Sequence, residues 1–429
     1  MLSQRGLKSA ASQDIPWRFA PGGNNRYDMV SNPRGVVPFG TAENALVQDE
    51  LATYVAEKVE IPPDAFLYRF STMGGPRFPI AMASHMNKYF QPFHPVKPEQ
   101  IITASGLTAI HELMACSLGD PGDGMLVSRP VYGRFELDFG NTANLKIVYA
   151  DMEGVDPFGA EVVPKYQSAL ETALKENVKV KALLIVNPHN PLGRCYPPLA
   201  LRELMVFCQK NSIHLISDEV YALSVYGTGY DAEKSINFSS VLSIDCKGLI
   251  DPERLHVFYG MSKDFGAAGL RLGCLVTQNV PLRKAIACNI RFHNPSGMSI
   301  AIATQLLEDR DFVKYFVKTS HERLRAARKY TTQVLDHAGI RYHRGSNAGF
   351  FLYIDLSPWL IESCDDQHAG ENDAEYALAQ KLLDGGVGLH PCEEHGEFKG
   401  HFRVVFSHPK EVLEEGLKRL VHVLNDQSS

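Results

Sequence analysis

The sequence has no apolar run long enough to cross a bilayer, and its first residues, MLSQRGLKSAASQDIPWRF, contain no apolar core of signal-peptide length. No membrane is expected as a partner, and cytoplasmic placement is the expectation, the Ser, Arg and Ala content giving only a faint similarity to a transit peptide. Blocks of like charge are also missing: with a net charge of −6 and no Lys/Arg cluster, no phosphate-neutralising surface forms, and nucleic acid is not an expected partner. The eight cysteines, scattered from Cys116 to Cys392, include no C-x-x-C pair, which fits reduced thiols better than a disulfide framework and suggests no zinc or other metal site. No G-x-G-x-x-G or Walker loop follows the early strands, which argues against a nucleotide-binding α/β protein. Repeats and low-complexity linkers are absent, so domains must be read from element type.

What is present is a globular composition, 45% hydrophobic and 21% charged, on 429 residues, long enough for a large catalytic domain and a smaller one. The Gly-, Pro- and Asn-rich residues 1–40 read as an extended N-terminal arm, and helical periodicity starts with ENALVQDELATYVAEK. From Gln100 to about Asn279, β-rich runs (GMLVSR, LKIVYA, VKALLIV, IHLISD, RLHVFYG, LRLGCLVT) alternate with helical stretches, which predicts an α/β domain around a mostly parallel sheet. Beyond it, a long helix through SHERLRAARKYTTQVLDHAG, the strand GFFLYIDL, a helix near DAEYALAQKLLDGG and the strand FRVVF predict a small α+β domain. The expected division is a large domain over 41–290, with 41–70 free to pack with the small one, and a small domain over 291–429. Ligands of open α/β sheets sit at the carboxyl edge of the strands, so motifs that follow strands carry most weight.

One such motif is Met261-Ser262-Lys263-Asp264-Phe265-Gly266, directly after RLHVFYG. A lysine amine on that turn can form a Schiff base with an aldehyde such as pyridoxal, although a lone loop lysine is ordinarily just solvated. Arg271, read as opening the apolar strand LRLGCLVT, needs an anion there, either a phosphate or a buried carboxylate. A second phosphate cradle is offered by Ala104-Ser105-Gly106-Leu107-Thr108, where IITAS meets a helix, with an ordinary helix cap as the alternative. IHLISDEVY ends a buried strand on Asp218 and Glu219, with Tyr221 following. A carboxylate there needs a cation, and the protonated pyridine nitrogen of pyridoxal 5′-phosphate (PLP) is one. Asn190, in VNPHNPLGR, can hold the ring oxygen together with Tyr221, or simply form a turn. Tyr132, in RPVYGRF, can lie against a flat cofactor or belong to the core, and Arg403, in FRVVF, can clamp a carboxylate or form a rim ion pair.

In this order the residues resemble a known family. The segments GTAENAL, NPHNPLG, SDEVY, MSKDFGAAGLRLG, NAGFFLYIDL and HFRVVF, spread over about residues 35–425, are similar to fold-type I PLP enzymes of the class I/II aminotransferases, and within them to the 1-aminocyclopropane-1-carboxylate (ACC) synthase-like group. The resemblance implies PLP bound covalently to Lys263, Asp218 on its ring nitrogen, and Asn190 and Tyr221 on its ring oxygen. It also implies Tyr132 stacked on the ring, the phosphate on Arg271 and on Gly106, Leu107 and Thr108, and Arg403 on the substrate α-carboxylate. Glu43, in GTAENAL, matches a glutamate near the substrate in ACC synthases. A homodimer with shared active sites is implied by analogy.

Two departures from the family pattern stand out. Thr72, in STMGGP, replaces a tyrosine contributed across the dimer, and Gly260 replaces a phosphate-binding serine, leaving Ser262 or Thr72 as substitute donors. The expected activity is a lyase that removes an α-proton of an amino acid and breaks a C–S bond, as in the C–S lyases of fungal sulfur-containing natural-product pathways. An aminotransferase is the alternative, and ACC synthesis from S-adenosylmethionine stands behind both. A non-catalytic relative is disfavoured because Lys263, Asp218 and Arg403 are all present.

Overall fold

The β-rich runs after Gln100 form one sheet. In the computed structural model, which describes residues 1–12, 25–159, 161–227, 236–360, 373–391 and 399–426, the strands in chain order are β1 (Val37–Pro38), β2 (Ile101–Ala104), β3 (Gly124–Arg129), β4 (Lys146–Asp151), β5 (Val180–Val186), β6 (His214–Asp218), β7 (Leu255–Gly260), β8 (Gly273–Thr277), β9 (Arg341–Tyr342), β10 (Phe351–Asp355), β11 (Val387–Gly388) and β12 (His401–Val405). Strands β2 to β8 make a seven-stranded sheet in the order β2-β8-β7-β6-β5-β3-β4. It is parallel from β4 through β7, and β8 runs antiparallel to both β7 and β2. The α/β, mostly parallel fold expected from the alternation is therefore present.

The reason lies in the strands themselves. Both faces of a parallel sheet are covered by crossover helices, so its central strands are apolar throughout and do not alternate. VKALLIV of β5 is buried at six of its seven positions, and LHVFYG of β7 at all six. Ile102, Leu113, Met125, Leu184, Phe258 and Leu275 belong to one continuous apolar cluster beneath the sheet.

Pairing of Ala104 and Gly260 with Gly273, and of Asp218 with Val186, brings the ends of β2, β5, β6 and β7 and the start of β8 to one edge. Hydrogen bonds extend this beyond the strands: Asn187 N–H donates to the Asp218 carbonyl (2.8 Å) and Glu219 N–H to that of Phe258 (2.9 Å).

The chain divides into two compact units, Leu46–Arg323 with Gly345–Gly349, which holds this sheet, and Met1–Ala45 with Leu324–Arg344 and Phe350–Ser429. In the second unit β10 lies between β12 and β9, antiparallel to both, and β1 pairs in parallel with β11. The expected arm is not wholly extended: Gln4–Ala11 is a helix whose N-cap Ser3 accepts from Gly6 N–H at 3.1 Å. Residues 13–24 of that arm, and Cys392, lie outside the described residues. Among the described residues no helix is long and apolar enough to cross a membrane, and no group of His, Cys, Asp and Glu could hold a metal.

Candidate active site

One corner of the carboxyl edge is built from glycines. At Gly106 (φ +93°) the chain leaves β2 and enters the helix Leu107–Leu118, whose N-cap has no side-chain hydrogen bond. A Cβ on Gly106 would stand 2.5 Å from Nη2 of Arg271, and one on Gly273 would stand 2.7 Å from the Gly106 carbonyl carbon and 2.8 Å from Leu107 N. Only bare backbone lets the guanidinium and β8 close on the start of this helix. The result is a cation beside uncapped N–H groups of Leu107 and Thr108, a donor set suited to a phosphate.

Arg271 does not open the strand as read from the sequence. It ends a 3₁₀ turn, Ala268–Leu270, in the left-handed region (φ 47°, ψ 60°), and β8 starts at Gly273. The residue is exposed, and its Nη1 donates to the Ala268 carbonyl at 3.1 Å. Burial cost is therefore not what demands an anion there; position beside the helix terminus is what suits one. Gly260 has a reason of its own, because a Cβ there would meet the Leu272 carbonyl at 2.8 Å, so a serine would not fit this backbone. Ser262 is half-buried on the turn that follows.

Asp218 ends β6, buried, with Oδ1 accepting from Val220 N–H at 3.2 Å. Burial pushes its carboxyl up to about 6, against the pull of His111, the Val220 N–H and Lys263, and with the repulsion of Asp138 added. Lys263 thus lies within electrostatic reach of Asp218, half-buried on a turn closed by Gly266 N–H on its carbonyl (3.1 Å). Asn190 and Tyr221 are both buried, on the loops that follow β5 and β6. Tyr132 is half-buried after β3, its ring edge-on to Phe135 at 5.2 Å and packed against the core cluster. Both readings given for Tyr132, core and site edge, are compatible with that position.

Three further residues of this neighbourhood, His111, Asp138 and Asp264, were given no role from the sequence, and Glu219 was named only beside Asp218. His111, on the helix after Gly106, sends Nδ1 to Asp138 Oδ2 (2.8 Å) and points Nε2 at Asp218 Oδ2 (3.9 Å). Asp264, the neighbour of Lys263, is fully enclosed: Leu223 N–H (2.8 Å) and Tyr259 OH (3.1 Å) donate to Oδ2, and Ser224 OH (2.6 Å) to Oδ1. Burial pushes it up to about 7 despite these donors. It pins the lysine turn to the loop of Tyr221. Glu219 accepts from Ser217 OH and Val241 N–H, both at 2.9 Å, and burial raises it to about 8. SDEVY and SKDF contained these two carboxylates, but nothing in sequence distinguishes a buried acid from a solvated one.

Thr72 is exposed, and its hydroxyl donates to the Tyr68 carbonyl at 2.9 Å; its turn packs through Gly74 on Thr103 of β2. Arg403 and Glu43 belong to the other unit. Arg403 is buried in β12 as its third residue; its Nη2 donates to the Gly40 carbonyl at 2.6 Å, and its guanidinium lies 5.5 Å from the Phe351 ring centre. The half-buried Glu43 is tied to the same place, since Ser407 OH donates to its carbonyl (2.6 Å) and Ala45 N–H donates to the Ser407 carbonyl (3.0 Å).

These features fit PLP on three counts: a cation with a helix N-terminus for its phosphate, a buried carboxyl for its ring nitrogen, and a lysine within electrostatic reach of that carboxyl. Comparison with known proteins leads to the same family. Residues 69–420 match the family described as aminotransferase class I and II. The chain is 34% identical to 1-aminocyclopropane-1-carboxylate synthase-like protein 1 of Homo sapiens over 418 residues, 94% of this chain and 79% of that protein. It is 31% identical to 1-aminocyclopropane-1-carboxylate synthase 7 of Arabidopsis thaliana over 426 residues, 92% and 88% of the two chains. In fold it is similar to an aspartate aminotransferase mutant of Thermus thermophilus in complex with tryptophan, with TM-score 0.72 at 22% identity over 99% of each chain. With the site's donor set and the matched length in agreement, the chain belongs to the class I and II aminotransferase family, has its fold type I architecture, and takes PLP as cofactor.

Proposed function

We propose that this chain is an ACC-synthase-like lyase that breaks a carbon–sulfur bond of an amino acid substrate. The observation that carries the reading is the docking of the Gly40–Asn44 loop on the strand of Arg403: the guanidinium holds the Gly40 carbonyl and Ser407 holds that of Glu43. An acidic residue on the loop gripped by the candidate carboxylate clamp suits a substrate with an electron-poor, sulfonium-like sulfur beyond its α-carbon, because opposite charges attract. Relatives named as ACC synthase and ACC synthase-like proteins support the same group. Thr72 supports it too, since its hydroxyl is engaged by Tyr68 and no phenol fills that position.

In this reading Lys263 binds PLP covalently, Arg271 and the N–H groups after Gly106 take its phosphate, Asn190 and Tyr221 its ring oxygen, and Tyr132 flanks the ring. Asp218 holds the proton of the ring nitrogen, which requires an ionised carboxylate. When bound, PLP supplies a ring that accepts the electron pair released at the α-carbon. Arg403 orients the substrate through its carboxylate with charge-assisted hydrogen bonds. Lys263, once a free neutral amine, takes the α-proton. In the lyase reading Lys263 Nζ would keep that proton while sulfur leaves from the next carbons; in the aminotransferase reading Nζ would give the proton up again. The assembly proposed is a homodimer, and its place the cytoplasm; sedimentation of the purified protein tests the first and imaging of a tagged chain the second.

The test is incubation of purified protein with S-adenosylmethionine and with cysteine S-conjugates, without a keto acid, while thiol or thioether, ammonia, keto acid and ACC are assayed. Many turnovers of sulfur release establish the lyase. A single stoichiometric conversion of the cofactor to its pyridoxamine form, reversed by a keto acid and without sulfur release, overturns it in favour of an aminotransferase.

A further inference from the structure

We infer that His111, held in place by the buried Asp138, is a positioning residue for Asp218, its Nε2 supplying the countercharge that keeps this carboxylate ionised and oriented for the protonated ring nitrogen of PLP. The inference rests on the role proposed above for Asp218 and extends it to two residues that touch neither substrate nor cofactor. Three elements meet here: β6 brings Asp218, the helix Leu107–Leu118 brings His111, and the helix Phe135–Gly140 brings Asp138. His111 Nδ1 lies 2.8 Å from Asp138 Oδ2, and His111 Nε2 lies 3.9 Å from Asp218 Oδ2.

An ionised carboxylate can only accept, so Nδ1 donates to Asp138 and the ring is fixed with Nε2 toward Asp218. Nε2 is inaccessible to water and has no hydrogen-bond partner among the described residues. A buried polar atom without a partner is rare in a finished site, and closing the gap by about 1 Å would make it a hydrogen bond to Asp218.

Packing alone does not account for an imidazole. His111 sits among the rings of Phe135, Phe139 and Phe258, with centres 5.3–5.4 Å away, where a phenyl ring would pack equally well. What histidine adds is its pair of nitrogens, one on each carboxylate. Asp218 is faced by His111, Lys263, Asp138 and the Val220 N–H, and of these His111 opposes the effect of burial most strongly. Lys263 has other work, being the covalent attachment point, whereas the His111 and Asp138 side chains, at 4% and 8% exposure, are permanent parts of the wall.

Three variants test this: His111→Phe, Asp138→Asn and their combination. In each, melting of the protein without cofactor is measured, then PLP affinity by titration, then the pH dependence of the bound cofactor's absorbance. His111→Phe is expected to melt near the wild type without cofactor, yet to bind PLP roughly tenfold more weakly and to titrate about one pH unit away, the equivalent of one pKa unit lost at Asp218. Asp138→Asn shifts both readouts in the same direction by a smaller factor, because loss of the anchor on His111 Nδ1 is partly offset by removal of the Asp138 repulsion on Asp218. The double variant is no worse than His111→Phe alone, because Asp138 acts through His111. Wild-type affinity and titration in His111→Phe, or additive losses in the double variant, overturn the inference and leave His111 as a core ring. Should His111→Phe fail to fold, Asp138→Asn decides by the same two readouts. Asp218→Asn separates the two levels: if it binds PLP normally, the role of Asp218 itself falls and this inference with it. If it binds weakly while His111→Phe does not, the positioning role alone falls.

Discussion

Gly269 and Gly273 lie four residues apart on either side of Arg271, and replacing each by alanine should have opposite consequences. At Gly273 an added Cβ would stand 2.7 Å from the Gly106 carbonyl carbon, 2.8 Å from Leu107 N and 2.9 Å from Leu107 Cδ2, whereas at Gly269 no atom of the described residues lies within 4 Å. Neither residue has a positive φ, so the difference is one of space and not of backbone strain. Two of the three close atoms at Gly273 are backbone at the start of a helix and cannot swing aside, so overpacking there costs about 1–3 kcal/mol. Relief comes by pushing the helix start away from β8, which displaces the uncapped N–H groups from Arg271. An anion at a helix terminus is worth up to ~2 kcal/mol, so PLP affinity should fall by about tenfold or more. The assay is titration of cofactor-free protein with PLP alongside thermal melting, for both variants. Gly269→Ala should match the wild type within roughly 0.5 kcal/mol. If Gly273→Ala also binds PLP and melts as the wild type does, the glycine-built corner is not the phosphate site.

Lys263→Ala should fold normally by circular dichroism and lose the covalent, visible-absorbing cofactor; retention of that absorbance would refute the assignment of the attachment point. Arg403→Ala removes charge-assisted hydrogen bonds worth about 1.5–3 kcal/mol, raising KM by roughly 10- to 150-fold at similar kcat, and an unchanged KM would assign the substrate carboxylate elsewhere. Buried Glu219 and Asp264 are raised to about 8 and about 7, so the folded state keeps protons that the unfolded chain, with ordinary values of 4.5 and 3.8, has released. Cofactor-free protein should therefore lose stability as pH rises from about 4 to 8, the contribution of Glu219 disappearing last. Glu219→Gln should flatten the upper part of that slope in chemical denaturation at several pH values; a slope identical to the wild type would mean that Glu219 is ionised in the folded protein.

Strand-to-loop junctions were the most legible part of the molecule. GMLVSR and VKALLIV coincide with β3 and β5 to the residue, and RLHVFYG begins one residue before β7, because apolar runs bounded by Gly, Pro and charged residues have few other ways to bury themselves. LRLGCLVT was misleading at its start: the run looks continuous, but the chain turns left-handed at Arg271, and a φ of 47° leaves no trace in the pattern of hydrophobicity. The arm likewise conceals a capped helix at Gln4–Ala11 within a stretch otherwise rich in turn formers.

The α/β alternation and the lysine, aspartate, asparagine and tyrosine near the strand ends were legible along the chain, since local periodicity and residue chemistry are carried by sequence neighbours. What those groups face is set by packing between distant segments. His111 and Asp138 come to Asp218 from 107 and 80 residues away, Asp264 closes on the Tyr221 loop across 40, and Gly106 meets Arg271 across 165. Whether an acid is buried and holds its proton, or a glycine is there for turning or for close approach, depends on such distant partners, because desolvation and steric contact are properties of the packed state and not of the chain.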